Sequence, residues 1–243
     1  MAAAERLTNQ STIMKQLVLI AVMILCSICA YAEKDVTQFL GIPVDGTKSE
    51  MIRKLKAKGF TDNPYMEGSL IGKFNNKDVF LCIDTNRNNC VSRIAVSTIQ
   101  PMDKQNVRRE FNNLVYQFEN NPKYLSMGDM SIDNNEDISD GINLKNKLYQ
   151  AFFYQRPTNI PESITITDLM FSNLYEQYSK EEIQNWSEEQ KATAVEEISI
   201  KILELLSPKE VWIRIDELKG FQGEYFITII YDNGYNRTNG EDL

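Results

Sequence analysis

The period of the apolar positions changes several times along this chain, and each change marks an element. Residues 39–44 (Phe39-Leu40-Gly41-Ile42-Pro43-Val44) are an apolar run that reads as a strand, followed by a turn at Asp45-Gly46. A helix comes next, with both ends written in the sequence. Thr47 and Glu50 form an S/T-x-x-E capping box. Gly59 supplies the left-handed residue that stops the helix, and Phe60 is predicted to fold back on Leu55. Met51, Ile52 and Leu55 leave one apolar stripe that must be buried. The partner surface is the set of strands predicted over 69–98: 69–74, 79–84 and 90–98, separated by Asn75-Asn76-Lys77 and Asn86-Arg87-Asn88-Asn89.

After Pro101 the spacing turns helical again. Val107, Phe111, Leu114, Val115 and Phe118 share one face of a helix over 104–120, which Asn120-Asn121-Pro122 ends. Residues 127–143 are polar and acidic and read as a solvated linker. Strand character returns at 147–155, and Ile164 and Ile166 alternate over 163–167. Leu169, Met170, Leu174 and Tyr178 then suggest a short helix. Ser179/Glu182 and Ser187/Gln190 are two further capping boxes, the second opening a long helix to about Leu206. Its stripe is read as Val195, Ile198, Ile202 and Leu205, and Ser207-Pro208 stops it. Residues 211–216 and 224–232 are two strongly alternating strands, and 233–243 have little to bury.

The expected fold class is therefore α+β: an antiparallel β-meander sheet with amphipathic helices packed on it, plus a helical insertion before the last two strands. The helices over 48–58 and 104–120 are expected to cover one face, burying Leu55, Leu81, Phe111, Phe118 and Ile229. The chain divides into a leader over 1–32, an α+β half over 33–125, an acidic linker over 126–143, and a second half over 144–243.

The leader reading rests on composition. Residues 17–30 are apolar apart from Ser27, follow Met14-Lys15, and end in Ala30-Tyr31-Ala32. That is the pattern of a secretory signal peptide with cleavage near Ala32, and it is short for a membrane span. Met14 is read as the true start. Neither Cys26 nor Cys29 has the small residue before it that a lipid-attachment site wants, so a released product is preferred to an anchored one. The expected location is exported, periplasmic or extracellular.

Without Glu5, Arg6 and Lys15 the mature chain has 24 basic and 33 acidic residues, a formal charge of −9. Such a chain is repelled by phosphate backbones and anionic lipid heads, which makes nucleic acid an unfavourable partner. The complete absence of histidine excludes Ser-His-Asp and Cys-His triads, HExxH zinc sites and histidine proton shuttles. Two mature cysteines, Cys82 and Cys90, are too few for a Cys-only zinc site. Matching the alternation of their strands puts Cys90 on the core side and Cys82 on the other, against a bridge between them. Asp133-x-Asn135-x-Asp137 fits the start of a calcium loop, but Ile138 stands where glycine is needed and Leu144 where the bidentate glutamate belongs.

GIPVDGTKSEMIRKLKAKGF (41–60), then Gly72-Lys73-Phe74, then Tyr231-Asp232-Asn233-Gly234-Tyr235-Asn236, resembles a group of small exported proteins of Bacteroides-like bacteria. The resemblance spans most of the mature chain. It implies an envelope location and a mixed helix-and-meander fold, and brings no catalytic residues with it.

No catalytic, cofactor-binding or metal-ligating residue is assigned from the sequence. The preferred function is a non-catalytic binding or accessory module of the bacterial cell envelope, with an envelope protein or glycan as partner. The alternative is a carboxylate-based hydrolase acting on a glycan, which needs only two acidic residues. Asp232, Tyr235 and Asn236 are the candidate partner-binding residues, an aromatic ring flanked by carboxylate and amide groups. The competing reading of the same residues is that they cap the end of a strand.

Overall fold

The first apolar run does not stay straight. Leu40 and Gly41 both adopt positive φ (52° and 75°), and the chain doubles back as a hairpin of β1 (Gln38–Phe39) and β2 (Ile42–Pro43). Two successive positive-φ residues give the tight turn whose twist matches paired strands, so a predicted strand became a two-stranded corner. The helix after it, α1 (Lys48–Ala57), is built as its sequence specifies, with the Thr47–Glu50 capping box formed in both directions. At its end Gly59 takes φ 98°, and the Phe60 N–H donates to Leu55 O at 3.3 Å, closing a Schellman stop. The computed structural model describes residues 34–221 and 223–237, so the expected leader, its cleavage site, Cys26 and Cys29 lie outside the described residues.

The expected α+β architecture is present. Eight antiparallel strands form one sheet in the order β3-β4-β5-β6-β10-β9-β8-β7. They are β3 (Thr61–Asp62), β4 (Ser69–Phe74), β5 (Lys77–Thr85), β6 (Val91–Thr98), β7 (Tyr124–Ser126), β8 (Gln150–Gln155), β9 (Glu210–Glu217) and β10 (Tyr225–Asp232). Residues 61–98 supply four neighbouring strands and residues 124–232 the other four, and the two sets meet where β10 pairs with β6. Asn75 and Asn76, both at positive φ, turn β4 into β5. Between β5 and β6 the register shifts: Asp84 pairs with Arg93 but Thr85 pairs with Val91, leaving Ser92 as an extra residue. The bulge reverses the side-chain parity assumed for Cys90. Val91 occupies the core face, Cys90 is half-buried beside it, and both Cys82 and Cys90 are free thiols.

One face of the sheet is covered by α1 and by α2 (Lys104–Glu119), which is capped by Asp103. Met51 and Leu55 of α1 and all five predicted apolar residues of α2 join a single core with Leu81, Ile94, Ile213, Ile227 and Ile229. The five residues expected in the core are all buried. The segment read as an acidic linker also belongs to this layer. It carries Ile132 and Ile138 into the core and folds as α3 (Ile138–Lys145), because Asp137 is an N-cap rather than a solvated charge. The Asp137 carboxylate accepts from the Ser139 and Asp140 N–H groups and pairs with Lys104 at 2.6 Å.

The helical insertion lies on the opposite face, at one end of the sheet. Phe153 and Tyr154 are consecutive, so they point to opposite faces. Phe153 joins the first core, whereas Tyr154 joins a second one with Leu125, Ile160, Ile166, Ile198, Ile202 and Leu206. The insertion comprises α4 (Ile166–Gln177), α5 (Lys180–Gln184) and α6 (Glu188–Leu206), each opened by a capping box. The alternation read over 163–167 is a helix start, with Thr165 as N-cap and Asp168 completing its box. In α6 the buried stripe is Ala194, Ile198, Ile202 and Leu206, while Val195 and Leu205 face outward. That stripe keeps Ile198 and Ile202 of the predicted one and exchanges Val195 for Ala194 and Leu205 for Leu206. Among the described residues no helix is long and apolar enough to cross a membrane.

Candidate functional site

The strand-end residues singled out from the sequence do not form an exposed patch. Asp232 is 2 % exposed, held by Arg93 (Nε to Oδ1, 3.4 Å) and Arg237 (Nη2 to Oδ2, 2.5 Å). Asn236 donates its side-chain amide to Asp45 Oδ1 and Val91 O, each at 2.8 Å, and its carbonyl accepts from Asn86. Of the three, Tyr235 is exposed, at 47 %, and Asn236 is half-buried. The Tyr235 N–H donates to Asn233 Oδ1, the strand-end cap that the sequence also suggested. The polar residues here tie β10 to the Asp45 turn and to the β5–β6 connection.

A concavity lies elsewhere among the described residues. It is a trough of about 550 Å³ between the β1–β2 hairpin tip, the 121–124 segment before β7, and the chain after β8. A second depression of about 330 Å³ adjoins it, and the two share Leu40, Phe74, Asn121, Tyr124 and Tyr231. Their common floor is aromatic because Phe39 gathers its neighbours: Tyr231 lies 4.9 Å and Phe74 5.2 Å from it, centroid to centroid. Phe118 packs edge-on against Tyr124 at 4.6 Å.

Two phenols fix the polarity of that floor. The Tyr231 hydroxyl is buried and hydrogen-bonded to Tyr124; burial first, and then Tyr124, push its pKa well above the usual phenol value. Tyr124 is raised as well, by burial, against the opposing pull of hydrogen bonds from Gln155 and Tyr231. Gln155 Nε2 donates to the Tyr124 oxygen at 3.4 Å. Gln155 is itself fixed by the Gln38 backbone, accepting from its N–H at 2.7 Å and donating to its carbonyl at 2.5 Å.

The walls add charge. Arg156 spans the trough's side, donating from Nε to Pro122 O (2.8 Å) and from Nη1 to Pro161 O (2.8 Å) and Ile164 O (2.5 Å). Lys209 is 5 % exposed and donates to Arg156 O at 3.2 Å, and Lys123 stands at the exposed rim. Glu162 is the one carboxylate among the lining residues. Chemically, this arrangement can hold a polar ligand against aromatic rings with oriented donors and positive charge. Neither Lys209 nor Tyr124 was marked by sequence reasoning. The lining runs from Gln38 to Tyr231, and no local spacing announces a convergence made by tertiary folding.

On the far face of the sheet Phe152 and Trp212 stack at 5.9 Å and 8°, with Arg93 and Arg214 each 5.8 Å from the indole centroid. The two cations occupy that ring cluster from within the molecule. Among the described residues no group of three or more Cys, Asp or Glu is placed to hold a metal ion. No family model, no curated protein and no solved structure matches this chain.

Proposed function

We propose that this chain is an exported, non-catalytic binding module of the bacterial cell envelope, and that the trough around Tyr124 and Tyr231 is where it holds its ligand. The observation that carries the reading is the trough itself, a concavity of about 550 Å³ that brings Phe74, Tyr124 and Tyr231 together with Lys123, Gln155 and Arg156. Concave sites that set a few aromatic rings beside placed polar groups fix and orient ligands, and this lining combines three rings with amide and charged side chains. The signal-peptide pattern of the first 32 residues and the resemblance to small exported proteins support the envelope location. A hydrolase built on carboxylates needs two of them about 5–9.5 Å apart in one cleft. Glu162 lines this trough without a second carboxylate, which favours binding over hydrolysis.

The test is to display the 33–243 chain against oligosaccharide and peptide arrays beside its Tyr124→Phe variant. Ligands captured by the parent and lost by the variant support the reading. Capture that is unchanged in Tyr124→Phe overturns the trough as the site. N-terminal sequencing of the protein from its source cell checks export: a mature chain beginning at Glu33 is expected, and an intact leader overturns it.

A further inference from the structure

The geometry points to a second binding site, on the helical insertion, that takes a small organic cation with an ammonium group at each end of an alkyl chain. It is independent of the trough. The site is a depression of about 380 Å³ lined by Tyr178, Trp186 and residues of α6 from Glu189 to Glu197. That volume is in the range of small-molecule sites. Tyr178 is the C-cap of α4, and Trp186 stands just before Ser187, the N-cap of α6. Their rings meet at 81° with centroids 4.7 Å apart, and both residues are half-buried. An apolar residue before an N-cap often packs on the fourth residue of its helix. Here that residue is Lys191, which pairs with Glu188 at 2.7 Å, and Trp186 packs on Tyr178 instead. Two such rings in one concavity are the setting in which organic cations are held by cation–π attraction.

Charge selects the sign of the ligand. Residues 166–206 hold nine acidic residues against three basic ones, a formal charge of −6 out of the chain's −8. The three lysines are engaged elsewhere. Lys180 Nζ lies 5.7 Å from the Tyr175 ring, Lys191 pairs with Glu188, and Lys201 donates to Gln177 Oε1 at 3.0 Å. Lys201 follows Glu197 by four residues, the spacing at which the two ordinarily pair on a helix, yet it reaches to α4. No basic residue lines the depression. Among the described residues no hydrogen bond or ion pair engages the carboxylate of Glu189 or Glu197. A concavity of this charge attracts cations and repels anions. A metal ion is the wrong cation, because among the described residues no group of three or more Cys, Asp or Glu converges. Glu189 and Glu197 are eight residues apart, about 12 Å along the helix, with Thr193 and the buried Ala194 between them. Two separated carboxylates with rings and a small apolar residue nearby match two separated ammonium groups joined by methylenes.

The experiment uses titration calorimetry on the 33–243 chain with cadaverine and spermidine, and with pentylamine, 1,5-pentanediol and glutarate for comparison. Cadaverine and spermidine are expected to bind, with affinity that falls as salt rises. Pentylamine, with one ammonium group, should bind about threefold or more weakly, and the diol and the dicarboxylate should not bind. Glu189→Gln, Glu197→Gln and Trp186→Leu should each weaken cadaverine by about threefold. Glu204→Gln removes an exposed carboxylate of α6 that does not line the depression, and should change nothing. Glu197 is exposed, so its variant keeps the test alive if the Trp186 variant fails to fold. Pentanediol binding as tightly as cadaverine overturns the cationic assignment, and pentylamine doing so overturns the two-ended one. A loss in Glu204→Gln equal to that in Glu197→Gln would mean diffuse surface charge and overturns the site, as does a folded Trp186→Leu that binds like the parent. Absence of binding by every amine overturns it outright. Tyr124→Phe should bind the amines as the parent does, so this site and the trough stand or fall separately.

Discussion

The Asn233 side-chain amide donates to Val44 O at 2.7 Å, joining the end of the last strand to the corner that precedes the first helix. The two residues are 189 positions apart, and Asn233 is fully buried. The neighbouring Gly234 fits against the Pro208 backbone so closely that a Cβ would lie 2.7 Å from Pro208 Cα. Residues 233–237 therefore act as a fastening between the two halves of the sheet, not as a loose tail.

Asn233→Ala should consequently destabilise the fold by about 1–3 kcal/mol, because a buried carbonyl loses its donor. Tyr235→Ala, at a half-exposed ring, should change stability by no more than about 0.5 kcal/mol. Urea unfolding of both variants decides the matter. Equal losses at the two positions would contradict the fastening role of Asn233.

Sequence alone carried the parts of this fold that are locally encoded. The Thr47–Glu50 box, the Gly59 stop and the stripe of α2 each need only neighbours a few positions away, and each formed as read. The failures have equally specific causes. Ser92 shifts a register that pure alternation cannot reveal, and this moved Cys90 off the core face. Asp137 looks like surface charge in a run of acids until Lys104, 33 positions earlier, arrives beside it. The trough was illegible for the same reason, since Gln38, Tyr124, Gln155 and Tyr231 meet only after the two halves of the sheet are zipped together at β6 and β10.

Phe111 sits at the middle of α2 and is wholly buried against the sheet. Phe111→Ala should cost about 3–5 kcal/mol, the combined loss of transfer energy and the cavity left behind. Val195→Ala on α6, at a half-exposed position, should cost far less. Denaturant midpoints that fall by similar amounts would show that the outward face of α6 is covered.

Acid should loosen α3 early. A hydrogen bond from Tyr149 (2.6 Å) and then one from Lys147 hold the Glu136 carboxyl below its usual value; hydrogen bonding from Lys104 does the same for Asp137. Groups with depressed folded pKa values contribute stability that is complete above the ordinary carboxylate range, about 4, and lost as pH falls through the depressed values. Hydrogen exchange of the α3 amides should therefore accelerate on acidification, and Asp137→Asn should reduce that acid sensitivity. Exchange that is insensitive to acid in the parent would contradict the anchoring role of these carboxylates.

Alkali probes the trough floor. Tyr231 is buried, and burial followed by its bond to Tyr124 raises its pKa well above that of a free phenol. A raised folded pKa favours the protonated state in the fold, so the contribution is fully present below the unfolded phenol value, about 10, and is lost as pH rises through the folded one. Stability should thus decline above about pH 10, as the unfolded chain releases a proton that the folded chain retains. Tyr231→Phe keeps the ring beside Phe39 and removes the titrating group, so its decline should be shallower even though its stability near neutrality is lower. Tyr124→Phe should have a smaller effect on the alkaline limb, because hydrogen bonding with Gln155 and Tyr231 pulls Tyr124 back toward its usual value. Urea midpoints followed across the alkaline range for the three proteins give the comparison. Parallel declines in the parent and Tyr231→Phe would show that the fold does not hold the Tyr231 hydroxyl protonated.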